Sequence, residues 1–187
     1  MTAKQVKIAL WFTLPLPLAW IAWKFFSIES ANPAQELNHL FGRIGYYALA
    51  LNLTIGSVLA VLRITKKRLP RECLPIVQYR RHLGVAGVLF LIAHVAFHFL
   101  IEAGIEEGFV AITKAKYLWA GSFAFVGLMI LAITSNDVSM RRLKRHWKTL
   151  HRTGYVLFFV ASAHALMIEK ADLLHYGFIA TLTGVPL

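Results

Sequence analysis

Cysteine is nearly missing: Cys73 is the single thiol in 187 residues. That rules out an intrachain disulfide and any zinc site or iron–sulfur cluster built on several thiolates. Acid is scarce too, with nine Asp and Glu against 20 Lys and Arg and a formal net charge of +11. No strand-like alternation occurs, no glycine-rich phosphate loop follows a strand, and no polar stretch is long enough to bury a second core. Residues 1–187 therefore read as one domain, and a nucleotide-binding catalytic module has to come from a partner. Nucleic acid is not the expected partner, because no aromatic-basic groove pattern accompanies the positive charge.

What is abundant is apolar: 58% of the chain is hydrophobic, and it arrives in long runs. A bilayer core about 30 Å thick needs roughly 20 apolar residues at ~1.5 Å each. Residues 6–28, 44–64, 83–101, 117–134 and 150–168 meet that demand. A sixth run, 173–187, has 15 residues and spans only about 22 Å, so it must thin the bilayer or stop short. The expected fold is all-α, an integral membrane bundle of six transmembrane helices with the sixth short. Trp11, Trp20 and Trp23 mark the first run as a retained helix with interfacial anchors rather than a signal peptide, and Pro15 and Pro17 kink it.

Charge is distributed by loop. Residues 63–81 crowd Arg and Lys around a lone Glu72, and residues 136–148 hold five Arg or Lys against Asp137. The alternate connections carry Glu29, Glu36, Glu102, Glu106, Glu107, Glu169 and Asp172. Basic loops stay in the cytoplasm, which puts both chain ends there as well; Lys4 and Lys7 agree. The same basic face suits anionic lipid headgroups.

Eight histidines remain to be explained. His146 sits among Arg and Lys and reads as solvated. His94, His98 and His164 lie in apolar surroundings at membrane depth, where an imidazole is costly. His164 lies 13 residues beyond His151, and His94 lies 13 beyond Arg81. At ~1.5 Å per residue both sit roughly 20 Å in, at one level. Two imidazoles facing each other from neighbouring helices suit a six-coordinate haem iron, with apolar walls around the ring. No carboxylate is expected beside them, which disfavours a di-iron bundle. His151 is the candidate ligand of a second haem nearer the basic end, with His82 at matching depth. Helical phase sets His151 about 140° from His164 and His82 about 120° from His94, so two haems must be offset or a helix distorted near Gly154. His98, one turn from His94, is an alternative ligand or a hydrogen-bonding neighbour. Arg80, Arg81 and Arg152 are candidates for haem propionates, flavin phosphate or lipid phosphate. The competing explanation is a set of hydrogen bonds between helices; three histidines at matched depths on two helices favour haem.

HLFGRIGY at 39–46, YRRHLG at 79–84, His94, and WKTLHRTGY from 147 with His164 resemble the bacterial YedZ/MsrQ family, within the ferric reductase-like transmembrane superfamily. The likeness runs over nearly the whole chain. It implies a six-helix cytochrome of the bacterial inner membrane with a cytoplasmic N-terminus, binding haem b, one or two, and using FMN. Electrons would come from the quinone pool or a cytosolic flavin reductase. They would pass to a periplasmic molybdopterin subunit that repairs methionine sulfoxide in oxidised proteins, so the chain is an electron-transfer subunit rather than the catalytic one. The family's haem histidines carry over to His94, His151 and His164. His39 and Arg43 match a further motif and are expected to dock a partner or cap a helix. Two other classes stay open: a ferric or other metal reductase, or an oxidase, of the same superfamily, and a non-redox transporter or assembly factor using histidine as a proton relay.

Overall fold

The computed structural model describes Trp23, residues 32–67 and residues 74–168. The rest of the first expected span, the short sixth one, Cys73 and His175 lie outside the described residues. Within them the chain is helical, with no strand.

Helix α1, Pro33–Ile64, is set at its start by Asn32, whose Oδ1 accepts the Gln35 N–H at 3.2 Å. Pro33 needs no hydrogen there, and Glu36 in the first turn and Arg63 in the last complement the helix dipole. This capped polar start carries the helix well ahead of residue 44, where apolar content alone begins it. Helix α2, Leu74–Phe97, runs on into a π-helical turn, His98–Glu102, closed by the Ala103 N–H on the His98 carbonyl at 2.9 Å. Gly104, at φ 78°, then turns the chain into a short amphipathic helix α3, Ile105–Lys114. Helix α4 spans Lys116–Ile133.

The basic stretch 136–148 is helical rather than a loop. Asn136 Oδ1 accepts the Ser139 N–H at 2.8 Å to begin α5, Asp137–Leu143, and α6, Arg145–Ile168, follows after Lys144. Trp147 Nε1 donates to the Thr134 carbonyl at 2.9 Å and ties the start of α6 to the end of α4. Pro33–Ile64, Tyr79–Glu102 and Lys116–Ile133 are long and apolar enough to cross a membrane. Helix α6 has the length, but Arg145, Lys148 and Arg152 occupy its opening turns.

Helix α1 packs chiefly on α2, and α4 on α6; the two pairs join through α2 with α4 and α1 with α6. A Cβ at Gly45 would stand 2.9 Å from the Gly87 carbonyl oxygen, so small residues bring the α1 and α2 backbones close. Such packing suits helices in lipid, where hydrophobicity does not drive them together. Tyr46, Leu53, Val88, Leu128 and Phe158 form the core where the pairs meet. The Tyr46 ring stacks on Phe158 at 4.8 Å, and its hydroxyl lies 3.0 Å from Ser162 Oγ. Ser162 donates to the Phe158 carbonyl at 2.9 Å, so the phenol is the donor to Ser162. Outside, Leu89, Phe123, Val126 and Val156 are each about 60% exposed, an apolar belt suited to lipid.

Candidate haem site

His94 on α2 and His164 on α6 line one cavity of about 790 Å³, walled by all four long helices. Each histidine is held by the partner helix of its own pair, in the same manner. His94 Nδ1 lies 3.0 Å from the Asn38 carbonyl on α1. Four residues on, at Gly42, a Cβ would stand 3.1 Å from that nitrogen. His164 Nδ1 lies 2.7 Å from the Tyr117 carbonyl on α4. Four residues on, at Gly121, a Cβ would stand 2.8 Å from it. A carbonyl only accepts, so in both rings Nδ1 carries the hydrogen and Nε2 keeps its lone pair. Among the described residues neither Nε2 has a hydrogen-bond partner.

This donor set fits haem. Two neutral imidazoles with free Nε2 atoms and Nδ1–H groups anchored on carbonyls are the ordinary ligation of a low-spin haem iron. The missing side chains at Gly42 and Gly121 make the room that lets each ring reach its carbonyl. Leu49, Leu91, Phe125 and Leu128 supply apolar wall, and the volume lies within the roughly 300–1,000 Å³ of cofactor sites.

A carboxylate does accompany the histidines, contrary to expectation. Glu102 lines the cavity, with Oε2 accepting the Asn38 side-chain amide at 2.6 Å and lying 3.2 Å from His98 Nδ1. It ends the π-helical turn, so the chain has not yet left the helix where an outer connection was expected. Asn38 Oδ1, His98 Nε2 and Glu102 Oε1 are buried without a partner among the described residues. His98 thus meets Glu102 through Nδ1, while its Nε2 is buried in the same cavity without a partner among the described residues. The signal for this was the i, i+4 spacing of His98 and Glu102; nothing marks Asn38 or the two carbonyl acceptors, which any residue type supplies.

The other expected residues lie apart from this cavity. The His151 ring stacks on Trp147 at 3.9 Å, with Nδ1 3.1 Å from the Trp147 carbonyl and Nε2 3.2 Å from Ser135 Oγ. His82 is exposed and meets the Tyr79 ring at 5.7 Å, and no hydrogen bond or ring contact joins it to His151 among the described residues. Arg80 is half-buried over Gly56, where a Cβ would stand 2.5 Å from its Nη2 and 2.7 Å from Tyr155 Oη. Arg81 pairs with Asp137 at 2.6 Å and holds that carboxyl below the usual carboxylate range. Arg152 and His146 are exposed. His39 and Arg43, in contrast, line the cavity of His94 and His164.

A family model described as "Ferric reductase like transmembrane component" matches residues 41–162, taking in His94 and His151 and stopping just short of His164. The protein-methionine-sulfoxide reductase heme-binding subunit MsrQ of Xanthomonas axonopodis pv. citri (strain 306) is 32% identical over 181 residues, covering 90% of this chain and 79% of that one. The subunit of the same name from Caulobacter vibrioides is 32% identical over 170 residues, 87% of this chain and 75% of its own. That of Agrobacterium fabrum is 27% identical over 169 residues, 87% and 74% of the two chains. No solved structure matches.

Proposed function

The chain belongs to the ferric reductase-like transmembrane family, in its MsrQ branch, and from that premise we propose that it is a membrane b-type cytochrome feeding electrons to a protein-methionine-sulfoxide reductase. What carries the proposal is the pair His94 and His164, each with Nδ1 spent on a carbonyl and Nε2 left to one shared cavity.

Haem, when bound, supplies an iron that accepts and returns one electron at a time. His94 and His164 would hold the iron through their two Nε2 atoms, which would leave it no open position for oxygen chemistry. The Asn38 and Tyr117 carbonyls keep each imidazole in one tautomer and one orientation, so little rearrangement accompanies a change of charge. Leu49, Leu91 and Leu128, which line the cavity, would keep water from the cofactor.

In full, we place six spans in the bacterial inner membrane with the N-terminus and basic loops cytoplasmic. Electrons arrive from the quinone pool or a cytosolic flavin reductase, with FMN at the basic end. They leave to a periplasmic molybdopterin subunit, which reduces the sulfoxide. A second haem at the basic end would take His151, whose Nε2 then exchanges Ser135 for iron. Arg80, Arg81 and Arg152 are the cations there for propionate or phosphate.

Visible spectra of detergent-purified protein, oxidised and reduced, test this. His94→Ala and His164→Ala should each lose the Soret band of the shared site, while His151→Ala keeps it. A full and unshifted spectrum in either of the first two variants overturns the assignment.

A further inference from the structure

Glu102 is the only Asp or Glu among the described residues that line the cavity, and neither ligation nor the apolar wall accounts for it. It ends the π-helical turn His98–Glu102, which keeps the chain helical past the apolar run and leaves the side chain facing α1. His98 Nδ1 lies 3.2 Å from its Oε2, and the Asn38 amide donates to the same oxygen at 2.6 Å.

Asn38, only 4% exposed, serves twice. Its side chain gives the hydrogen that Glu102 takes, and its backbone carbonyl receives the Nδ1 hydrogen of His94 at 3.0 Å. A helix carbonyl ordinarily receives only the N–H four residues on; the His94 ring draws on its second lone pair. Holding the side chain on Glu102 therefore steadies the residue whose carbonyl aims the ring. Two hydrogen bonds connect Glu102, through Asn38, to the imidazole offered to the iron. The other imidazole has no such support, because the Tyr117 carbonyl that receives His164 belongs to an exposed residue and no second carboxylate lines the cavity.

The charge on Glu102 is only partly met. Among the described residues no Arg or Lys pairs with it, and its Oε1 is buried without a hydrogen-bond partner. In a low-dielectric wall a negative charge favours whichever state of a neighbouring iron is the more positive, and that is the ferric one. We propose that Glu102 is a positioning residue for the haem held by His94 and His164: through Asn38 it fixes the His94 ring, and its charge lowers the potential of the iron. This rests on the haem assignment above. A lowered potential makes the reduced site a stronger donor, which suits a chain that passes its electron on.

The test uses the full chain, purified in detergent with its haem. Redox titration of the Soret band gives the potential, and electron paramagnetic resonance of the ferric iron reads the orientation of the two imidazoles through the g values. Glu102→Gln keeps an oxygen for Asn38 and removes the charge. It should raise the potential by roughly 59 mV, a tenfold shift of a one-electron equilibrium, with the g values unchanged. Asn38→Ala keeps the charge and cuts the link, so it should shift the g values and move the potential less than Glu102→Gln does. Glu102→Asp, which retains a carboxylate, should recover most of the low potential. Glu106→Gln removes an exposed carboxylate of α3 that lies off the cavity and should change neither reading. A potential unmoved in haem-loaded Glu102→Gln, or g values unmoved in Asn38→Ala, overturns the proposal while the haem assignment stands. If Glu102→Gln holds no haem, the g values of Asn38→Ala decide alone. Wild type without a Soret band overturns both.

Discussion

Gly42 and His94 face each other so closely that a methyl group on the glycine would sit 3.1 Å from Nδ1 and 3.3 Å from Cε1 of the imidazole. The matching pair is tighter, with Gly121 leaving 2.8 Å to both Nδ1 and Cε1 of His164. These distances set a first prediction. Alanine at a helical glycine gains about 1 kcal/mol of helix propensity, and overpacking costs typically 1–3 kcal/mol. At Gly42 the two nearly cancel, because the ring need retreat only a few tenths of an ångström. At Gly121 the ring must leave the Tyr117 carbonyl. Gly121→Ala should therefore lose most of its haem and Gly42→Ala much less, with helix content by circular dichroism unchanged in both. The haem-to-protein ratio of the purified variants decides it; equal retention contradicts the geometry.

The pairing of the two histidines is legible in the sequence. Counting 13 residues from Arg81 and from His151 sets His94 and His164 at one level, and the structure brings both to one cavity. Helical phase also warned that His82 does not share the face of His94, and His82 is exposed. Other features had no letter to read. The acceptors that orient the rings are backbone carbonyls, and the cap at Asn32 extends α1 across a polar stretch that apolar content leaves out. Glu102 falls one residue past the apolar run 83–101 and so reads as part of a connection; in the structure the amide of Asn38, 64 residues away, meets its Oε2 inside the cavity.

That carboxylate gives the second prediction. Glu102 Oε2 receives the Asn38 amide and faces His98 Nδ1. Glu102→Ala strips both of their acceptor in a buried setting, at about 1–3 kcal/mol for each group left unpaired. Glu102→Gln keeps a carbonyl oxygen for Asn38 and should cost clearly less. Thermal unfolding of the purified proteins should rank them wild type, then Gln, then Ala. An alanine variant as stable as wild type would show that the cluster contributes nothing.

A third prediction exploits an asymmetry in the core. Ser162 gives its own hydrogen to the Phe158 carbonyl and receives one from Tyr46. Tyr46→Phe removes the donor together with its need and leaves Ser162 still bonded, so the loss should be about 1 kcal/mol. Ser162→Ala removes the oxygen that the buried phenol hydroxyl meets at 3.0 Å, a cost of about 1–3 kcal/mol. Unfolding in mixed micelles should find the serine variant the weaker of the two. The reverse order would mean that Tyr46, not Ser162, receives the hydrogen.

The last prediction concerns pH at the basic end. Arg81 donates to Asp137 at 2.6 Å and keeps its carboxyl below the ordinary range, so the folded protein holds this carboxylate ionised at acidity that protonates it in the unfolded chain. A depressed carboxyl contributes stability above its unfolded value, about 3.9 for aspartate, and loses it as pH falls through the lower folded value. Asp137→Asn should therefore be slightly less stable than wild type at neutral pH, and the difference should close below about pH 4 as the wild-type carboxylate takes its proton. Because the pair lies at the surface, the gap at neutral pH should also shrink as salt rises past about 0.15 M, where screening reaches within ~8 Å. Unfolding measured for both proteins across pH and salt checks both arms. A gap that persists unchanged at low pH would mean that Asp137 acts by starting α5, where it stands in the first turn, and not through its charge on Arg81.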